Sequence, residues 1–79
     1  MIFLIEYNRR KGSLVTFKRF KDSQRKKAQE ERFNLELDLK HKKTNHEVVL
    51  LEAAKESMIR RTHRRYFESL AQIAGIPAA

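Results

Sequence analysis

Cysteine is absent from these 79 residues, so the chain forms no disulfide, holds no metal through thiolates and carries no cysteine nucleophile. The absence suits a reducing compartment. Glycine and proline are almost as scarce. Gly12, Gly75 and Pro77 are the only strong punctuation, leaving no linker, repeat or low-complexity tract. Long apolar runs are missing as well. Ile2–Ile5 and Val48–Leu51 fall far short of the ~20 residues of a membrane span. The N-terminus is apolar first and basic later, the reverse of a secretory signal. The expectation is a soluble, cytoplasmic protein with no membrane partner.

Seventy-nine residues make one domain, 1–79. A chain this short buries only roughly 60% of its unfolded surface, so its core is marginal. With disulfides excluded, self-association is the expected extra source of stability, most simply a homodimer.

Charge is what the sequence has in excess. Eighteen Lys/Arg against ten Asp/Glu give a net charge of +8. Residues 1–27 hold nine basic and two acidic side chains, and residues 55–79 hold five and two. The middle, 28–54, is slightly acidic, with four basic and six acidic side chains. Such a field favours anionic partners and says nothing about fold.

Ile2–Tyr7 and Leu14–Phe20 are rich in β-branched and aromatic residues and read as strands. Asn8 and Gly12 suit the intervening turn, which predicts a hairpin with a basic tip. Both faces of the first strand are apolar, so it belongs in the middle of a sheet. The second strand mixes Lys18 and Arg19 with Phe17 and Phe20, which suits an edge. From Asp22 or Ser23, either able to cap, good helix formers continue to about Lys42. At 100° per residue, Ala28, Leu35 and Leu39 share one face, and Phe33 and Leu37 lie nearly opposite. The competing reading makes 33–39 an alternating strand with its four apolar residues on one side. Val48–Leu51 reads as a strand covered on both sides. A second helix is expected from Lys55 or Glu56 to a cap at Gly75. The resulting prediction is an α+β, two-layer β-β-α-β-α domain, its three-stranded sheet ordered 2-1-3 and packed with two helices.

Candidate binding residues follow from the charge. Arg60, Arg61, Arg64 and Arg65, if helical, cover one arc of about 140°. Each guanidinium presents a planar fork that matches phosphate. The competing reading is a solvated face paired with Glu56, Glu68 or acids of the first helix. Arg9, Arg10 and Lys11 occupy the hairpin tip, and Lys18, Arg19, Lys21, Arg25, Lys26 and Lys27 continue along the edge. These two clusters predict a non-catalytic protein that grips DNA or RNA through phosphates. No Lys/Arg-Gly-Phe type signature of base stacking occurs, so the aromatic rings are assigned to the core. The alternative is a protein-interaction or homodimerisation module that docks a partner on Phe33 and Leu37, with the positive charge able to steer an acidic protein.

Catalytic parts are sparse. Ser13, Ser23, Ser57 and Ser69 lack a nucleophile-elbow context, and no glycine-rich phosphate loop is present. His41, His46 and His63 show no metal-binding spacing, and no cofactor is expected. A small nuclease with Glu6 as metal ligand or His63 as general base is the one enzyme reading the residues allow.

Overall fold

A computed structural model describes residues 1–67 of the chain. Strand β1 runs Ile2–Asn8, β2 Ser13–Phe20 and β3 Glu47–Glu52. Their order is β2-β1-β3, with both neighbours antiparallel to β1. The outer strands therefore run in the same direction with β1 between them, as the sequence predicts. Residues 2–7 of β1 are all buried, which accounts for apolar side chains on both of its faces.

The turn uses both expected residues. Asn8 accepts the Gly12 amide through its carbonyl (2.8 Å) and the Lys11 amide through Oδ1 (3.1 Å). Gly12 sits at φ 64°, where a Cβ is unfavourable. The register shifts between Glu6 and Tyr7, with Thr16 opposite Glu6 and Leu14 opposite Tyr7. That leaves Val15 without an opposite number, as in a β-bulge.

Helix α1 spans Arg25–His41, behind a 3₁₀ turn at Asp22–Gln24. Residues 33–39 are thus helical, and the alternating-strand reading is not realised. The predicted faces hold. Ala28 and Leu39 are buried and Leu35 packs beside them, while Phe33 is 60% and Leu37 41% exposed. The cap differs from expectation. Asp22 binds the N-terminal ammonium (2.6 Å), and Gln24 Oε1 instead accepts the Lys21 amide (3.0 Å). At the other end, Thr44 N–H reaches Leu39 O (2.9 Å) and Lys43 N–H reaches Lys40 O (3.1 Å). This is a Schellman closure, with Lys43 at φ 54° in the position glycine usually takes.

Helix α2 spans only Glu56–Thr62. The expected helix to Gly75 breaks at His63 (φ −124°, ψ 50°), and Arg64–Tyr66 form a 3₁₀ turn. A continuous helix would stack Arg60 on Arg64 and Arg61 on Arg65, like charges at i,i+4. Breaking it turns Tyr66 onto the sheet, where its ring meets Tyr7 edge-on at 5.2 Å. Gly75, and the expected helical residues Leu70, Ile73 and Ala74, lie outside the described residues.

The two-layer expectation is refined by where the helices sit. Ile2 and Leu4 face α1, packing with Phe20 and Ala28. Phe3, Ile5 and Tyr7 face the other way, onto Ile59 and Tyr66. The sheet is therefore covered on both sides. No helix among the described residues is long and apolar enough to cross a membrane.

Candidate functional site

The hairpin tip, the start of β3 and the turn after α2 meet at one carboxylate. Glu47 opens β3 opposite Tyr7. Arg9 reaches its Oε1 through Nη2 (2.8 Å) and Nε (2.9 Å). Arg65 Nη2 donates to Oε2 (2.8 Å), and the Tyr66 hydroxyl donates to the same oxygen. Arg65 also donates to the Tyr66 oxygen (2.9 Å) and lies 4.6 Å from the Tyr66 ring centre. Burial pushes the Glu47 carboxyl up, but hydrogen bonds from Tyr66, Arg9 and Arg65 outweigh it and hold the group below the ordinary carboxylate range. Tyr66 is raised, first by burial and then by its bond to Glu47. The Glu47 side chain is 10% exposed, whereas Arg9 and Arg65 keep 63% and 56%. The carboxylate is thus a largely covered anchor that orders two cations while leaving much of each in solvent.

Beside this anchor, Asn8, Arg9, Arg10, Lys11, Lys43, Thr44, Asn45 and His46 line a cleft between the hairpin tip and the α1–β3 loop. Arg10 and Lys11 are exposed, and their side chains make no ion pair among the described residues. Lys43 is exposed too, on the left-handed backbone of the α1 cap. Below the cleft, the buried Glu6 of β1 accepts Thr16 Oγ1 (2.8 Å), and His46 Nδ1 approaches its other oxygen at 2.6 Å. This contact ties the loop to the sheet.

Several expected site residues fare differently. Arg60, Arg61, Arg64 and Arg65 do not form one helical stripe, because the break at His63 separates the pairs. Arg60 bonds Glu56 through Nε (3.1 Å) and lies 4.6 Å from the Phe67 ring centre, the intramolecular role weighed against binding. Arg61 is exposed and makes no ion pair among the described residues; Arg64 is exposed. Along the edge, Lys18 pairs with Glu31 (2.8 Å), Arg19 with Glu56 (3.6 Å) and Arg25 with Glu52. Half of the expected basic edge is therefore met by the chain's own acids. Arg9 and Arg65 come together at Glu47, so the two distant basic segments do meet, through a shared acid.

The nuclease reading loses its geometry. Both Glu6 oxygens are occupied within the fold. Glu6 faces the α1 side, whereas His63 stacks on Tyr66 (6.1 Å, 28°) across the sheet. Among the described residues, no group of three or more His, Asp or Glu is placed to hold a metal ion.

Sequence reasoning missed Glu47 and the loop 43–46. In sequence, His41–Asn45 reads only as a polar turn. Glu47 becomes special only through the β1–β3 register, a non-local pairing with no local signature. Comparison of the chain with protein-family models, with curated proteins and with solved structures finds no match.

Proposed function

We propose that this chain binds nucleic acid, DNA or RNA, through phosphate contacts at the hairpin-tip end of the sheet, without catalysis. The observation that carries the reading is the cleft. Three uncommitted cations, Arg10, Lys11 and Lys43, line it together with the amides of Asn8 and Asn45 and the Thr44 hydroxyl. Side chains of these types satisfy phosphate oxygens and carry little base information. Arg9 and Arg65 hold reserve positions, because Glu47 balances part of their charge. Arg61, exposed and without an ion pair among the described residues, extends the set. Arg60 leaves it, being engaged with Glu56 and Phe67.

The test is affinity for a labelled single-stranded RNA and a duplex DNA as salt is varied. Arg10→Ala with Lys11→Ala is expected to weaken binding on both, and to flatten the log–log salt dependence by about 1.8 on duplex. A salt slope unchanged by the double substitution refutes the assignment.

A second reading rests on a different observation. Phe33 and Leu37 stand exposed on the face of α1 opposite its packed side, and suit contact with another protein.

A further inference from the structure

We infer that the outer face of α1 docks a second copy of this chain, with the two helices antiparallel about a two-fold axis. The inference rests on the second reading above and names its partner. Taken at 100° per residue, Gln29, Glu30, Phe33, Leu37, Lys40 and His41 fall within one arc of about 120°, centred opposite Ala28 and Leu35. All six are exposed. The apolar pair occupies the middle of this stripe, with the acid one turn before it and the base one turn after.

The charges on α1 are selective. Glu31 is engaged with Lys18, Arg32 with Glu36 and Asp38 with Lys42. Lys26, Lys27, Glu30 and Lys40 make no ion pair among the described residues. Of these, Glu30 and Lys40 are the charges one turn from Phe33 and Leu37, while Lys26 lies two turns before Phe33 and falls opposite Thr44 in the antiparallel arrangement. In an antiparallel pair centred between Phe33 and Leu37, Phe33 of one copy meets Leu37 of the other. The same operation sets Glu30 against Lys40 and Gln29 against His41. Symmetry makes each contact twice, the signature of an isologous interface. A parallel pair in register would instead set Glu30 on Glu30 and Lys40 on Lys40. The charge pattern therefore selects one orientation and one register.

Two further facts bound the strength. A single 17-residue helix is the whole contact, so the buried area falls below the ~1,200 Å² of a standard interface and the dimer is weak. Each copy also carries +8, and this repulsion has to be screened. Measurements therefore belong at ~0.15 M salt, where the Debye length is about 8 Å.

The experiment is sedimentation equilibrium of the full chain up to about 200 µM, a concentration at which a micromolar-range dimer is well populated. Wild type is expected to dimerise. Glu30→Lys alone sets lysine on the partner's Lys40 twice, and Lys40→Glu alone sets glutamate on the partner's Glu30 twice. Each is expected to raise the dissociation constant about tenfold or more. Mixing the two variants in equal amounts restores both attractive pairs, and dimer is expected to return as a mixed species seen by native mass spectrometry. Misfolding would not be rescued by mixing, so recovery isolates the interface. A wild type that stays monomeric overturns self-docking while leaving α1 open to a different protein. A dimer that persists unchanged in Phe33→Ser with Leu37→Ser removes this face from association altogether. Single variants that weaken the dimer without recovery on mixing overturn the antiparallel register.

Discussion

Replacing Glu47 by glutamine is predicted to make the protein less stable and a better ligand for nucleic acid at the same time. The substitution keeps the side chain's shape and removes its charge. Three donors lose an ionised acceptor: Arg9, Arg65 and the Tyr66 hydroxyl. The hydroxyl bond contributes about 1 kcal/mol net. The two guanidiniums are more than half exposed, so each pair contributes only ~0–1 kcal/mol after solvent screening. The total is about 1–3 kcal/mol, which for a domain of this size lowers Tm by roughly 4–24 °C. Circular dichroism on heating measures it.

The same substitution frees two arginines beside Arg10 and Lys11. On single-stranded RNA, two added phosphate contacts steepen the log–log salt slope by about 1.4 and raise affinity at low salt. Linkage adds a pH signature. The folded Glu47 carboxyl lies below its ordinary range. Its contribution is therefore complete above the unfolded value of ~4.3 and is lost as pH falls through the folded value. The stability gap between wild type and Glu47→Gln should be wide at pH 7 and close on acidification below about pH 4. A variant that loses stability yet binds RNA no more tightly would refute the idea that Glu47 holds back two phosphate ligands.

Other outcomes follow from particular contacts. Lys43 occupies a left-handed cap position that costs a side-chain-bearing residue about 1 kcal/mol. Lys43→Gly should raise Tm by a few degrees while weakening nucleic-acid binding, because it removes a cation from the cleft. Tyr66 ionises above its ordinary range, so its contribution holds below about pH 10 and is lost as pH rises through the folded value; Tyr66→Phe should flatten that alkaline loss in a pH series of denaturant melts. Ile59 is buried against Phe3, Ile5 and Tyr7, and Ile59→Ala should cost about 2–5 kcal/mol in urea unfolding.

Much of the fold is legible in the residues themselves. Asn8 and Gly12 mark the hairpin because each meets a conformational need few residues meet. The double-sided apolar character of Ile2–Tyr7 marks a central strand, and the opposed apolar sides of α1 survive intact as one packed face and one exposed face. What escapes is set by tertiary contact. The break at His63 follows from Tyr66 turning onto Tyr7 and Glu47, partners distant in the chain. Neither Asp22 nor Ser23 caps α1, because Asp22 is taken by the N-terminal ammonium and a 3₁₀ turn held by Gln24 Oε1 on the Lys21 amide precedes the helix. Lysine at the α1 cap defeats a rule that looks for glycine or asparagine. Half the basic edge is quenched by Glu31, Glu56 and Glu52, acids that counting charge along the sequence assigns elsewhere.

The salt dependence of RNA binding by the unmodified protein bears most directly on the proposed role. Fluorescence anisotropy between about 20 and 300 mM KCl should give a linear log–log plot with a slope near −2 or steeper, as three or more phosphate contacts require on a single strand. Absence of binding at the lowest salt, or an affinity indifferent to salt, would contradict it.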